Sequence, residues 1–224
     1  MVPPIVVDID GTITRGDGSS AIDPRLFEEL REWPEPVVIA TGKAFPYPVA
    51  LCQFVGIPAL VIAENGGIVL VDEEVRITGD ARAARAVSEE YREAGYDLGW
   101  GETDLVNRWR ETEVAVDRAS PLAPLEALAE DYGLEVVDTG YAYHVKDPAI
   151  TKGEGLRAIC TVLDRDPEEF AAIGDSENDV STFAVVGRSF AVANADELAR
   201  TSADEITERS YSEGALEALS AIRS

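Results

Sequence analysis

Positively charged residues are scarce in this sequence. Lysine occurs three times, at Lys43, Lys146 and Lys152, and histidine once, at His144. Lysine and arginine together number 19 against 43 acidic residues, so the formal net charge is −24. Such an acidic surface repels phosphate backbones and anionic headgroups, which argues against a nucleic acid or a membrane as partner. It also destabilises a compact chain unless salt screens it, so we expect a cytoplasm with molar salt, as in halophilic archaea.

Cysteine and long apolar runs are scarce as well. The two cysteines, Cys52 and Cys160, lie far apart in the sequence, and we expect free thiols in a reducing cytoplasm rather than a disulfide. No apolar run approaches the ~18 residues of a membrane span. The first residues, Met-Val-Pro-Pro, contain no basic segment or small-residue cleavage site, so we expect no signal peptide and a cytoplasmic location.

The order of predicted elements indicates an α/β fold. Short apolar runs alternate with helix patterns through the first third of the chain and again from residue 151, which is typical of a parallel sheet. Residues 80–150 differ, because charged amphipathic helices there alternate with half-buried strands. We therefore expect one core formed by residues 1–79 and 151–224, with residues 80–150 as an inserted α+β domain.

Polar residues of unusual type follow three of the predicted buried strands. Asp8 and Asp10 follow the first strand, Thr41 and Gly42 the second, and Asp175 a late one. In a parallel sheet the carboxyl ends of the strands meet at one edge, where open α/β folds place their ligands. The alternative for the first pair alone is a turn with two solvated acids.

These residue types suit one kind of chemistry. Asp8, Asp10 and Asp175 would supply oxygens to an octahedral Mg²⁺ that keeps several waters. The Thr41 hydroxyl, nearby backbone N–H groups and Lys152 would hold a phosphate. Without the metal and the lysine, the acids would repel one another and an anionic substrate.

Four short segments resemble, in order and spacing, the four motifs of the haloacid dehalogenase superfamily. They are Asp8-Ile9-Asp10-Gly11-Thr12, Thr41-Gly42, Lys152-Gly153 and Gly174-Asp175-Ser176-Glu177-Asn178-Asp179. The insertion between the second and third resembles the α/β cap of the Cof-type branch, and Glu64-Asn65-Gly66-Gly67 resembles a sequence recurring in that branch. The resemblance implies a Rossmann-like parallel sheet with an inserted cap, and a Mg²⁺-dependent phosphatase for a small phosphate ester. Within the branch, the short chain and acidic composition are similar to archaeal enzymes that act on 2-phosphoglycolate.

The resemblance also implies a role for each acidic residue. Asp8 would be the nucleophile and would form an aspartyl-phosphate that water then hydrolyses. Asp10 would protonate the leaving oxygen, later activate the water, and bind Mg²⁺ through its backbone carbonyl. Asp175 would be a direct or near-direct metal ligand, and Asp179 a further ligand or the residue that orients one.

The remaining motif residues would bind the phosphoryl group. The resemblance implies that Thr41 and Lys152 neutralise its oxygens as charge shifts in the transition state, and that Gly42 belongs to the same phosphate-binding set. Asn178 would steady Lys152 or the phosphate.

Several alternatives stay open at the level of function. A sugar phosphatase of the sucrose-phosphate or mannosyl-3-phosphoglycerate type uses the same chemistry, and a phosphomutase uses the same aspartyl-phosphate. A receiver-like protein that only accepts a phosphoryl group, or an inactive binding protein, are the non-enzymatic alternatives. Whether the chain is a monomer or a dimer does not follow from the sequence.

Alternatives also stay open for individual residues. Lys43 could touch the substrate phosphate or lie on the surface, and His144 could pack as a neutral side chain or hydrogen-bond within the cap. Arg108 and Arg110 could bind a substrate carboxylate or lie on a solvated strand face. Three aromatic residues could line a substrate pocket or form the core of the cap: Trp100, Trp109 and Tyr143.

The charge imbalance predicts that salt stabilises this protein. We expect the melting temperature to rise from low to molar KCl, because counterions screen the repulsion among 43 acidic residues. Thermal unfolding followed by circular dichroism across a KCl series measures this. A parallel series in an uncharged osmolyte separates screening from general solute exclusion. Equal stability in low and molar salt would contradict the expectation.

Overall fold

The computed structural model of the protein describes residues 2–224, which form two β-sheets and eight α-helices. The strands are β1 (Ile5–Val7), β2 (Val37–Ala40), β3 (Leu60–Ala63), β4 (Ile68–Val71), β5 (Glu74–Ile77), β6 (Val114–Asp117), β7 (Glu135–Asp138), β8 (Ala142–Lys146), β9 (Ala171–Gly174), β10 (Arg188–Ala191) and β11 (Glu205–Ile206). The helices are α1 (Pro24–Arg31), α2 (Pro46–Val55), α3 (Arg82–Glu93), α4 (Leu122–Asp131), α5 (Lys152–Leu163), α6 (Val180–Phe183), α7 (Glu197–Ser202) and α8 (Tyr211–Arg223). Over this range no helix is both long and apolar enough to cross a lipid bilayer.

The larger sheet has eight strands in the order β11-β10-β9-β1-β2-β3-β4-β5. The first six of these run parallel, and β4 and β5 add an antiparallel hairpin at the edge. Strand β1 is central, and Val7 pairs with Ile39 on one side and with Ile173 on the other. The predicted α/β fold is confirmed, and the ends of β2, β1 and β9 lie side by side.

Helices cover both faces of the larger sheet, as successive strand residues point to opposite sides. Ile5 and Val7 pack with the apolar residues of α1, α2 and α8, whereas Val6 packs with those of α5, α6 and α7. Burial on both faces explains why these strands are continuous apolar runs. Cys52 and Cys160 lie in the two layers as buried free thiols, as predicted, and burial raises the pKa of each to about 11.

The smaller sheet lies between β5 and α5 in the sequence and has the antiparallel order β6-β8-β7. Val114, Val116 and Val145 pack against α3 and α4. Alternation along β8 therefore turns His144 toward the opposite face, which meets the larger sheet. We call the unit formed by α3, α4 and these three strands the cap. The division of the chain at residues 79/80 and 150/151 stays a prediction.

A tight loop between β3 and β4 brings the two units together. Glu64 and Asn65 have left-handed backbones, with φ of 50° and 57°, and Gly66 has φ of 113°. A Cβ on Gly66 would lie 2.1 Å from the Thr151 carbonyl oxygen, so only glycine allows the loop to approach the start of α5 so closely. The turn buries the side chains of Glu64 and Asn65, which face the cap.

Candidate active site

The structure brings the predicted residues together at the carboxyl edge of the larger sheet. Asp8 directly follows β1, Thr41 follows β2, and Asp175 follows β9, and these three strands are neighbours. Asp8 and Thr41 are buried, while the carboxylate of Asp10 is 22% exposed. The parallel pairing therefore brings these residues to one edge of the sheet, as the sequence predicted, because strands far apart in the chain end side by side.

Lys152 occupies the centre of this cluster. Its Nζ lies 2.7 Å from Asp8 Oδ1 and 2.6 Å from Asp179 Oδ1, and its side chain is fully buried. The side chain of Thr151 accepts a hydrogen bond from the Glu154 N–H and caps α5, which fixes Lys152 in the first turn. Burial by itself would lower the pKa of Lys152, but the two carboxylates outweigh it and raise that pKa. The ammonium therefore stays charged.

The acids around Lys152 repel one another. Burial raises the pKa of Asp8 to about 7, Lys152 opposes the rise, and Asp179 and Asp10 add to it. Burial, together with the charges of Asp8 and Asp179, raises the pKa of Asp175 well above its usual range. One ammonium therefore does not balance the buried carboxylates, and the site favours a further cation.

The donor set fits a hard divalent cation. One carboxylate oxygen of each of Asp8, Asp175 and Asp179 lies within 4.8 Å of the other two. Carboxylate oxygens and water are the ligands that Mg²⁺ prefers. A Cβ on Gly11 would lie 2.0 Å from Asp175 Oδ2, so this loop, with φ of 78°, can pass the carboxylate only as glycine.

Asp179 and Asp10 differ from Asp8 and Asp175 in the contacts that their carboxylates make. Both oxygens of Asp179 already have protein partners, because Oδ1 binds Lys152 and Oδ2 accepts the N–H groups of Asp175 and Ser176. Of its two expected roles, this geometry favours orienting the loop over ligating a metal. The Asp10 side chain is not part of the triad of carboxylates, and its Oδ1 lies 3.0 Å from Lys43 Nζ.

Three expected phosphate-binding residues follow the two strands that pair with β1, since Thr41 and Gly42 come after β2 and Asn178 comes after β9. The Thr41 hydroxyl accepts the Lys43 N–H at 3.1 Å, and the Gly42 carbonyl accepts a hydrogen bond from Arg110 at 2.8 Å. Asn178 lines a small cavity together with Asp8, Asp10 and Gly42. Its hydrogen bonds go to Asn65 and Ser176 rather than to Lys152, so its expected contact with Lys152 or the phosphate stays a prediction.

A second buried charge cluster fastens the cap to the larger sheet; we call it the cap–core joint. It consists of Glu64, Asn65, Arg110, Thr112, Glu113 and His144. Glu113 accepts a hydrogen bond from Asn65 at 2.7 Å, lies 2.6 Å from His144 Nδ1 and pairs with Arg110. Glu64 accepts the N–H and the hydroxyl of Thr112. Every one of these side chains is buried.

Burial and neighbouring charges shift the pKa values of the side chains in the joint. Burial would raise the pKa of Glu113, but His144 and Arg110 beside it lower that pKa below its usual range. Burial lowers the pKa of His144, against the pull of Glu113. Burial and the nearby Glu113 raise the pKa of Glu64. Arg110 also reaches the Gly42 carbonyl, so the joint ends on the candidate phosphate loop.

Several residues of the cap differ from their sequence-based interpretation. Arg110 follows a turn, is buried and pairs with Glu113, so neither a substrate carboxylate nor a solvated strand face describes it. Arg108 is exposed, and Trp109 packs edge-on against Tyr47 of the larger unit. Trp100 and Tyr143 pack against the apolar core of the cap.

Sequence reasoning missed Glu113 as a partner in the joint. In the segment Glu-Val-Ala-Val-Asp, the alternation indicates a half-buried strand but not what covers its polar side. No local signal distinguishes a solvated acid from one covered by a second unit. For Glu64 and Asn65 the sequence did contain a signal, because both belong to the Glu-Asn-Gly-Gly segment that resembles a recurring sequence of the Cof-type branch.

Comparison with known proteins shows similarity over the whole chain. The family described as haloacid dehalogenase-like hydrolase matches residues 125–219. A phosphoglycolate phosphatase of Natronomonas pharaonis is 58% identical over 225 aligned positions, which cover 100% of this chain and 99% of the relative. One of Haloarcula marismortui is 56% identical over 223 positions, covering 99% and 97%. These relatives come from halophilic archaea.

Solved structures are similar in fold. The crystal structure of a Thermoplasma acidophilum protein has a TM-score of 0.84 and 25% identity, and covers 100% of this chain and 99% of its own. A haloacid dehalogenase-like hydrolase from Bacteroides thetaiotaomicron has a TM-score of 0.77 and 21% identity, over 99% and 100% of the two chains. The second comparison supports the fold alone.

The cap–core joint predicts a large cost for removing Glu113. We expect Glu113→Ala to lower the free energy of unfolding by about 3–5 kcal/mol, because it leaves Arg110 and His144 buried without their carboxylate. Denaturant unfolding at constant salt measures this loss. Glu111→Ala is the matched control: Glu111 is two residues away and exposed, so its removal should change stability by less than about 0.5 kcal/mol. Equal effects of the two variants would contradict a stabilising joint.

Proposed function

The chain belongs to the haloacid dehalogenase-like hydrolase family and is a phosphomonoester hydrolase, and from this premise we propose that it hydrolyses 2-phosphoglycolate with Mg²⁺ through an aspartyl-phosphate on Asp8. The observation that carries the proposal is the central cluster, in which Lys152 joins Asp8 and Asp179 while Asp175 stands beside them. The names of the relatives from Natronomonas pharaonis and Haloarcula marismortui support this substrate.

Asp8 and Asp10 have the surroundings that their two tasks require. Asp8 is buried at the end of β1, and its Oδ1 is held by Lys152, which leaves its second oxygen for attack. Asp10 lies two residues further on, and its carboxylate borders the cavity that a leaving group would enter. A fixed nucleophile beside a more accessible acid suits transfer of a phosphoryl group.

The reaction has two steps. In the first, an Asp8 oxygen bonds to phosphorus, the bond from phosphorus to the bridging oxygen breaks, and Asp10 gives its proton to that oxygen. In the second, water gives a proton to Asp10 and its oxygen bonds to phosphorus. The bond from phosphorus to Asp8 then breaks. One ester and one water give one alcohol and one inorganic phosphate, and both aspartates return to their starting states.

Protein groups hold the phosphoryl oxygens during both steps. Lys152 supplies a positive charge, Gly42 borders the small cavity beside Asp8, and the Thr41 hydroxyl lies on the same loop as Gly42. Asp8 and Asp175 would hold Mg²⁺, with Asp10 through its carbonyl and Asp179 as orienting residue. The metal, when bound, offsets negative charge on the transferring group.

The cap restricts what can enter. A cavity of about 440 Å³ lies between the two units, bordered by Asp10 and Asp175 on one side and by Thr139 and Tyr141 of the cap on the other. Next to Asp8 the space is far smaller. This shape suits a phosphate ester with a small leaving group and keeps bulk water away from the phosphoryl group.

The substrate and the metal can be tested together. We expect release of inorganic phosphate from 2-phosphoglycolate in molar KCl with Mg²⁺, loss of activity with a chelator, and recovery on adding Mg²⁺. Sugar phosphates and phosphoglycerates in the same assay test the alternatives, and an isomerised product without free phosphate would indicate a mutase. Undiminished turnover in excess chelator, or no phosphate from 2-phosphoglycolate, would overturn the respective part of the proposal.

The nucleophile can be tested by Asp8→Asn. We expect this variant to lose turnover while keeping the circular dichroism spectrum of the parent, because the amide cannot attack phosphorus but has nearly the same shape. Asp17→Asn, in an exposed loop, is the matched control and should retain full activity. If the Asp8 variant kept more than a few per cent of activity, the assignment of the nucleophile would fail.

A further inference from the structure

Lys43 lies beside Asp10, the residue proposed to protonate the leaving group. Its Nζ is 3.0 Å from Asp10 Oδ1 and 4.6 Å from the ring centroid of Tyr141, which belongs to the cap. The side chain is 21% exposed and borders the small cavity that also contains Asp8. The ammonium therefore stands between the proposed acid and the cap.

Two other cations near the cavities already have partners, and Arg15 borders only the larger cavity and not the small one beside Asp8. Lys152 binds Asp8 and Asp179, and Arg118 donates to both Asp138 and the Gly140 carbonyl. Lys43 differs from both, because among residues 2–224 its ammonium forms one ion pair and no hydrogen bond that meets normal geometry. An ammonium has three N–H donors, so it can accept a new anionic partner without losing an existing hydrogen bond.

We propose that Lys43 is a specificity-determining residue that binds a carboxylate on the leaving group of the substrate. This inference rests on the proposed function, in which Asp10 protonates the bridging oxygen. A group that contacts Asp10 Oδ1 therefore lies close to the bridging oxygen of the substrate and to the first carbon atoms of the leaving group. The preferred substrates are then phosphate esters whose carboxylate is one or two carbons from the bridging oxygen.

Charge explains why such a residue is needed. A substrate carboxylate in this position would face Asp10 and the other acids of the site, and their repulsion is strong where water is excluded. Lys43 offsets that repulsion for an anionic leaving group and offers nothing to a neutral one. The charge thus selects between substrates of equal size.

The position of Lys43 also links it to both units. Its backbone N–H donates to the Thr41 hydroxyl, so the phosphate-binding loop carries it, while the Tyr141 ring contacts its ammonium from the cap. The attraction between an ammonium and an aromatic face restrains the side chain. Binding of the leaving group therefore depends on a docked cap, which places Tyr141 over the ammonium.

Two esters of similar size separate the possible roles of Lys43. In 2-phosphoglycolate the leaving group ends in a carboxylate, whereas in 2-hydroxyethyl phosphate it ends in a neutral hydroxyl. For Lys43→Met we expect kcat/KM to fall about 10- to 100-fold on 2-phosphoglycolate and less than about 3-fold on the neutral ester. Lys43→Arg should restore most of the preference. Arg118→Met, which removes a charge already paired with Asp138, is the control and should leave the ratio of the two values unchanged.

A binding experiment makes the test independent of turnover. In the Asp8→Asn background, calorimetry with 2-phosphoglycolate should show weaker binding for Lys43→Met by a similar factor, whereas binding of inorganic phosphate should be unchanged. Equal losses on both esters, or weaker binding of inorganic phosphate, would overturn the inference, because Lys43 would then serve Asp10 or the phosphoryl group. No loss on either ester would overturn it as well. If the parent enzyme hydrolysed neither ester, the proposed function would fail and remove the premise.

Discussion

The site depends on one buried ammonium among acids. Lys152 contacts Asp8 and Asp179 at hydrogen-bond distance, in a chain whose formal charge is −24. Removing a lysine from water is costly, and two short charge-assisted bonds offset that cost. Because Lys152 opens α5 and Asp179 follows β9, the same contacts fasten a helix to the centre of the sheet. Fold and candidate chemistry thus share one interaction, and the remaining buried acids leave room for a metal.

The cap–core joint adds a second cluster that works differently. There, Arg110 pairs with Glu113, and His144 Nδ1 lies at hydrogen-bond distance from the same carboxylate. The joint reaches the candidate site at two points, the Gly42 carbonyl and, through Asn65, the side chain of Asn178. The position of the cap and the shape of the phosphate loop are therefore set by the same buried contacts. Through these contacts the cap can influence the candidate site without supplying any of the proposed reacting groups.

The three lysines of this protein occupy different positions from the arginines of its exposed ion pairs. Lys146 and Lys152 are buried, and Lys43 borders the small cavity beside Asp8. Exposed ion pairs, such as those of Arg118 and Arg188, use arginine instead. Arginine offers a planar fork suited to surface carboxylates, whereas lysine offers a compact charge with three donors. In this acidic protein the two buried lysines stand where a point charge meets several oxygens, as Lys146 does with the Ile150 carbonyl and Glu135.

Local pattern was enough to determine the elements and the order of the motifs, because apolar periodicity, proline and glycine act over a few residues. It placed Asp8, Thr41, Lys152 and Asp175 at the ends of strands and helices, and the parallel sheet brought them together. Tertiary structure alone decided which partner each side chain found: Asn178 with Asn65, Arg110 with Glu113, and Lys43 between Asp10 and Tyr141. The physical reason is that the charge state and the burial of a side chain depend on groups from distant parts of the chain. An acid that reads as solvated in its own strand can be covered by another unit.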